Sequence, residues 1–440
     1  GNYKQIDDTQ YGGGAGNVFG NSIMDTTQLI ADFGYDGSWG PKFDGQDVRQ
    51  WDSYDPSDAS NFGTSRAWEA SPNNIKDFFR TGILATNNIA FSGANTLGSF
   101  RLSYTNTHQL GTQENSDLTR HNVGFNADYK LTKKLTATTS INFVSSKGNG
   151  RPLTGYSSSV MSQFNQWFQR QLDMDRLRNY KNPDGTQRTW NRNSENDGSP
   201  HYWDNPFWER YENGQNDRRE RLFGNVGLTY AITDYLSVSA RAMTDFYTDR
   251  REEWIAVGGV NEARYSEDVR FFRENNYEGS LNFNKRIGEM FSVSAIVGVN
   301  FRKNSFNRNY GATQGGLNTA GFYNLSNSVS PAEITDFSSQ QEIFSGFANA
   351  SIGFKDFLYL DLSGRFDVNS TLPIASNTYP YYSAGVSFIF SELLPKNDIL
   401  SYGQFRASYA RAGNGTTPYQ LEITYATNPS FGNNGLSTVP

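Results

Sequence analysis

The chain has 440 residues, with 39 basic and 45 acidic side chains, a formal net charge of −6 and no cysteine. That composition excludes disulfides and thiolate metal sites, and with no basic run to follow a phosphate backbone, no nucleic-acid partner is expected. Mean hydropathy is −0.67 and no apolar run reaches the ~18 residues of a transmembrane helix; a membrane barrel stays open, because its strands alternate apolar and polar residues and so average to polar.

In chain order, residues 1–82 read as an irregular region leading into a barrel that occupies 83–440. Tyr11-Gly12-Gly13-Gly14 and Gly16 supply flexible backbone, and 21–33 suits a short helix or a packed loop. The stretch 38–46 (SWGPKFDGQ) is followed by Trp51, Tyr54-Asp55-Pro56 and Trp68. Then 72–82 (PNNIKDFFRTG) runs into the first clear strand, carrying Ile89 and Phe91, with Phe100, Leu102 and Tyr104 on its partner.

The next stretch sets the pattern for the rest. Val123, Phe125, Ala127, Tyr129 and Leu131 occupy every second position, with Asn122, Gly124, Asn126, Asp128 and Lys130 between them. Alternate side chains of an extended strand point to opposite faces, so one face is apolar and the other polar. After Thr132-Lys133-Lys134 the alternation resumes with Leu135, Ala137, Thr139, Ile141 and Phe143. Similar pairs recur around Thr233-Asp234, Gly288-Glu289 and Lys355-Asp356, and a looser one joins 382–390 to 405–411. Arms of ~9–11 residues are what a tilted strand needs to cross a bilayer. The connections alternate between very short and very long, which suits an outer-membrane barrel better than a soluble sandwich with turns every ~8–12 residues. Short turns near 132–134, 233–235, 288–290 and 355–356 are then periplasmic. The segments 106–118, 148–218, 250–270, 303–340 and 370–380 face outside. An exported protein with no initiator Met or signal peptide at its start reads as a mature or partial chain.

The longest outer segment, 148–218, holds an expected helix: Ser157–Ser159 offer a cap, and Met161, Phe164, Phe168 and Leu172 recur at helical spacing. Asn182-Pro183-Asp184-Gly185 is a turn. Trp190, Tyr202, Trp203, Phe207 and Trp208 follow. Their rings suit stacking on sugar C–H faces or on peptides, and equally suit loop packing or contact with a partner. A second candidate set comes from the alternation, which points Asp128, Lys130, Arg241, Asp245, Glu278, Arg286, Arg302, Asp361, Arg365 and Arg406 inward; they fit an interior network, contact with a plug, or substrate. Phe125, Phe143, Leu228, Val238, Phe283, Val297 and Leu360 point to lipid. The three histidines, His108, His121 and His201, fall in no metal-spaced pattern, and neither a nucleophile elbow nor a P-loop appears. No catalytic residue, metal site or cofactor is expected.

SWGPKFDGQ, PNNIKDFFRTG, NNIAFSGAN, FRLSYTNTHQLG, RHNVGFNADYKLTKKLTATTSINF and SYGQFRASYARAGN together resemble the barrel of the SusC/RagA family of TonB-dependent outer-membrane transporters. The resemblance covers nearly the whole chain. It implies an all-β fold, a transmembrane antiparallel up-and-down β-barrel of which this chain supplies about 12–14 strands out of ~22, the size class that encloses a plugged lumen. A plug and TonB-contact segment would precede Gly1, and roughly the last third of the strands would follow Pro440. The implied function is import of large nutrients, glycans or peptides, with a SusD-like surface lipoprotein over the mouth and a TonB-type complex supplying force through the plug. A passive porin with a complete smaller barrel, and a structural or secretion-accessory outer-membrane protein, are the other classes the residues allow.

Overall fold

A computed structural model describes residues 19–421, apart from 157 and 396–399, and the backbone of 427–431 and 434–437. The Gly-rich stretch at 11–16 lies outside the described residues.

The chain opens with four short strands, β1 Gly20–Asn21, β2 Leu29–Ile30, β3 Asp47–Arg49 and β4 Ser65–Ala67, in one small sheet. No helix forms over 21–33. There Asp25 Oδ1 accepts from the Thr27 amide at 3.0 Å and the Gln28 amide returns to the Asp25 carbonyl at 2.9 Å; such side-chain caps favour a turn over a helix. Helix α1, Asn74–Phe78, then delivers the chain to the main sheet.

That sheet has twelve antiparallel strands in unbroken sequence order. They are β5 Ile83–Ala94, β6 Gly98–Leu110, β7 Asp117–Lys130, β8 Leu135–Asn149, β9 Gly214–Ala231, β10 Leu236–Ile255, β11 Arg264–Ile287, β12 Phe291–Leu317, β13 Ser328–Phe354, β14 Leu358–Asn369, β15 Thr378–Phe388 and β16 Phe405–Arg411. Between β8 and β9 lie α2 Val160–Gln166, α3 Met174–Leu177 and α4 Pro206–Tyr211; β17 Thr427–Phe431 and β18 Asn434–Ser437 pair with each other after the sheet. Among the described residues β5 and β16 are not joined, so the sheet is an open segment of a barrel.

The register explains the alternation. Phe125 pairs with Leu102 and Ile141, Leu228 with Ala137 and Ala240, Val297 with Leu281 and Ala348, and Leu360 with Ile352 and Val386. All these residues share one face, and that face carries exposed large apolar side chains such as Phe91, Leu228, Val297 and Leu362. Two aromatic-rich rows bound it. Ile287, Phe291, Phe354, Leu358, Phe388 and Phe405 lie directly opposite one another across six strands near the short turns. Tyr277, Phe301, Phe344 and Val368 form the other row. From Phe291 to Phe301 the strand rises about 33 Å, or about 25 Å once tilted by ~40°, the height of the lipid-facing band of a barrel. A face this apolar is not viable in water; it is a lipid face. No helix among the described residues is long and apolar enough to cross a membrane, so the strands do the crossing.

The short turns have local causes. Thr132 Oγ1 accepts from the Lys134 and Leu135 amides at 3.1 and 3.0 Å, and Thr233 Oγ1 accepts from Tyr235 and Leu236 at 3.3 and 3.1 Å. Lys355 and Asp356 sit at φ 48° and 56°, the paired left-handed geometry of the hairpin turn that matches strand twist.

Two expectations need correction. The segments 250–270 and 303–340 are mostly strand: β10 to β13 run 20, 24, 27 and 27 residues, and the connections shrink to 256–263 and 318–327. Above the lipid face charged residues enter both surfaces, as at Arg250, Arg251, Glu252 and Glu253, so the apolar alternation breaks up while the ladder continues. The helix after Ser159 ends at Gln166, leaving Phe168 and Leu172 beyond it. Phe164, Phe168 and Leu172 are each 1% exposed; their spacing marked burial in a compact segment rather than a longer helix.

Candidate functional site

Residues 19–82 and 150–213 fold together as a cap with its own core. Val48, Trp68, Phe78, Phe164, Phe168, Leu177 and Trp190 are among its buried members. The cap is pinned to the rim where the long connections emerge. Arg80 donates to the Gly111 and Ser116 carbonyls at 2.9 and 3.0 Å. Arg210, 2% exposed, donates to the carbonyls of Glu114 and Asn115 at 3.2 Å each and of Gly150 at 2.5 Å. Trp254 of β10 donates to the Glu212 carbonyl at 2.9 Å.

The candidate aromatics divide. Trp190 meets Phe168 edge-on at 5.8 Å, Phe207 packs on Phe78 at 5.2 Å with the Arg178 guanidinium 4.8 Å from its ring, and Trp208 meets Tyr180 at 6.4 Å. Trp203 donates Nε1–H to Asp36 at 2.8 Å. Trp190, Trp203, Phe207 and Trp208 are 1–3% exposed, so in this structure they build the cap and offer no ring face to solvent. Tyr202 is 52% exposed. Tyr35, Trp39 and Tyr156 of the cap are exposed as well; Tyr156 packs on Trp203 at 5.6 Å, and Tyr35 precedes the Asp36 that anchors that indole. Sequence reasoning did not single these out, because buried and displayed aromatics have the same composition.

A cleft of about 680 Å³ opens in the cap between the 51–57 loop and the 182–200 segment. Trp51, Tyr54, Asp55, Arg188 and Arg192 line it, with Asn182 and Ser199 at its edge. The guanidinium carbons of Arg49 and Arg192 stand 4.1 and 5.0 Å from the Tyr54 ring centre. Burial, reinforced by the Glu195 carboxylate, pushes the Tyr54 phenol far above its usual pKa, and burial lowers that of Arg192. Asp52 holds Arg66 and Arg176 at 2.8 Å each. Ring faces beside paired charges can hold a polar ligand through stacking and charge-assisted hydrogen bonds together.

On the sheet, the register puts every candidate inward charge on the polar face, opposite the lipid face. Asp245 is gripped by Arg221 at 2.8 and 2.5 Å, Arg302 meets Glu274 at 3.0 Å, and Arg365 meets Asp367 and Ser345 at 2.7 Å each. Arg286 reaches Asp356 at 2.8 Å, Asp128 accepts from the Ser99 hydroxyl, and Arg241 stands directly opposite Glu278. Lys130 pairs across the ladder with Thr136, Asp361 with Ser351 and Gly385, and Arg406 with Ser387. Two further clusters lie above these. Asp249 sits between Arg219 and Arg251 at 2.6 and 2.8 Å, and Asp268 between Arg270 and Arg308 at 2.6 and 3.0 Å. Arg219, two positions from Arg221 on the same face of β9, was the available signal for the first of them.

His121 hydrogen-bonds the Tyr104 hydroxyl at 2.8 Å, His108 bonds Thr119 at 3.1 Å and His201 bonds Asn193 at 2.5 Å. No group of three or more His, Asp or Glu among the described residues could hold a metal ion.

No protein-family model and no curated protein matches the sequence. The fold does match solved structures. The RagAB peptide transporter superposes with a TM-score of 0.65 at 15% identity, over 84% of this chain and 41% of that one. The RagAB peptide importer in its closed-closed state gives 0.68 at 14% identity over 89% and 44%, and in its open-open state 0.66 at 15% over 83% and 40%. The chain therefore spans about two fifths of the length of these structures. Its fold is that of part of these RagAB structures, an open segment of a barrel, in keeping with the SusC/RagA resemblance of the sequence motifs.

Proposed function

We propose that this chain forms the wall and outer cap of a TonB-dependent outer-membrane importer for large nutrients, and that it is not an enzyme. The observation that carries the reading is the superposition on RagAB over 83–89% of the chain. RagAB is a peptide transporter, so peptides are the first substrate class, with glycans second. A SusD-like lipoprotein closing the mouth and a TonB-type complex pulling on a plug would complete the machine. Substrate held between lid and loops would descend when force opens the lumen, while the sheet, cross-braced by its inward ion pairs, stays rigid.

The test is uptake of a labelled peptide mixture and of labelled oligosaccharides by cells carrying the parent gene, with and without the proton-motive force. Uptake of either class that stops when the force is collapsed supports the reading. Ion conductance and uptake that persist without it identify a passive channel instead, and no uptake of either class together with stable non-transport partners identifies a structural protein.

A further inference from the structure

We propose that Asp204 and Glu209 form a latch, closed by one shared proton, that fastens the β10–β11 connection to the cap and releases it when that proton is lost. The inference goes beyond the transport reading and holds for any cargo.

The two carboxyls bracket the start of α4 and are 1% and 5% exposed. Asp204 Oδ1 accepts from Gln187 Nε2 at 2.8 Å and from the Val260 amide at 2.9 Å. Its Oδ2 is buried and meets no N–H donor; the hydrogen-bonding group left to it is the Glu209 carboxyl. Glu209 Oε2 accepts from Asn213 Nδ2 at 2.9 Å, and Asn213 Oδ1 accepts from the Ala256 amide at 2.8 Å. One carboxyl thus holds the 256–260 segment directly and the other holds it through Asn213. Gln187 adds a bond to the Gly258 carbonyl at 3.1 Å.

Two adjacent carboxylates in a dry site do not both ionise; one proton is retained by the pair. The donors sort the roles. Asp204 has two donors on one oxygen and is the ionised member. Glu209 keeps the proton and donates it to Asp204. The groups facing the pair from other elements are the neutral Gln187, Asn213 and the Val260 amide. Arg210, on the same helix, favours the Glu209 charge but is outweighed by burial and by Asp204, and its guanidinium is turned to the carbonyls of Glu114, Asn115 and Gly150. Burial first, then the Asp204 charge, holds Glu209 well above the usual glutamate pKa. A carboxyl raised in the folded state contributes stability that is complete below its unfolded pKa and is lost as pH rises through the folded one. The latch is therefore closed in acid and opens toward alkali.

The experiment is hydrogen exchange at the amides of 256–263 in the whole protein in detergent, from about pH 5 to about pH 9, corrected for the intrinsic base-catalysed rate. Wild type should lose about tenfold in protection as pH rises, which is ~1.4 kcal/mol of local opening energy. Glu209→Gln should keep its protection flat, because its amide donates to Asp204 at every pH. Should that variant fail to fold, Asp204→Asn serves the same purpose, since its amide accepts from Val260 and donates to Glu209. A flat profile in wild type, or a slope in the folded variant equal to that of wild type, overturns the proposal.

Discussion

Arg210 has exchanged its water for three backbone carbonyls, and that exchange sets the cost of removing it. Arg210→Met would leave the Glu114, Asn115 and Gly150 carbonyls without donors, at about 1–3 kcal/mol for each buried group that finds no water. We expect a loss of about 2–4 kcal/mol in cap stability, read as faster proteolysis of the 111–116 connection with barrel strands unaffected. Val297 tests the opposite surface. It is 58% exposed in the isolated chain and lies between the two aromatic-rich rows, so Val297→Arg should cost about 2–4 kcal/mol in bilayer unfolding titrations, against little change for Val297→Leu. At this scale the sequence was informative about side and silent about depth. A period of two fixes the face of Asp128 or Val297 as soon as a strand is granted. It cannot say whether Trp190 fills a core or meets a ligand, because an indole suits both and only the packing of Phe168 against it decides.

Hairpins were the most legible elements, since each apolar alternation stops at the residues that make the turn. Legibility ended where the second face stopped being apolar. Along 248–253 and 266–271 both faces carry charges, and what sustains the ladder there is pairing across strands, such as Arg250 with Glu267 at 3.0 Å, which no single-strand pattern displays. The cap was legible only as an aromatic-rich segment, because its strands of two and three residues are too short to show a period. The Lys355-Asp356 turn makes a prediction of its own. Both residues are left-handed, a geometry that Asn tolerates and a β-branched side chain does not. Lys355→Val should lower stability by about 1–2 kcal/mol relative to Lys355→Asn, measured as the shift in unfolding midpoint in detergent. The Asn variant should be at least as stable as wild type.

For the whole molecule, the strands differ more in length than the bilayer requires. β12 and β13, of 27 residues each, climb about 70 Å at a ~40° tilt, against the ~25 Å of the lipid-facing band. β5 has 12 residues and β14 has 12. The rim is accordingly lopsided, a crest over β10–β13 falling away to either side. A bulky molecule approaching from the end away from the short turns touches that crest tens of ångströms before it reaches the lipid-facing band. Its first contact is the top of the β12–β13 ladder, where the register shifts between Ala312 and Gln314 and again between Gln314 and Leu317, so the crest ends in the sheet's irregular tip rather than in its uniform lower ladder.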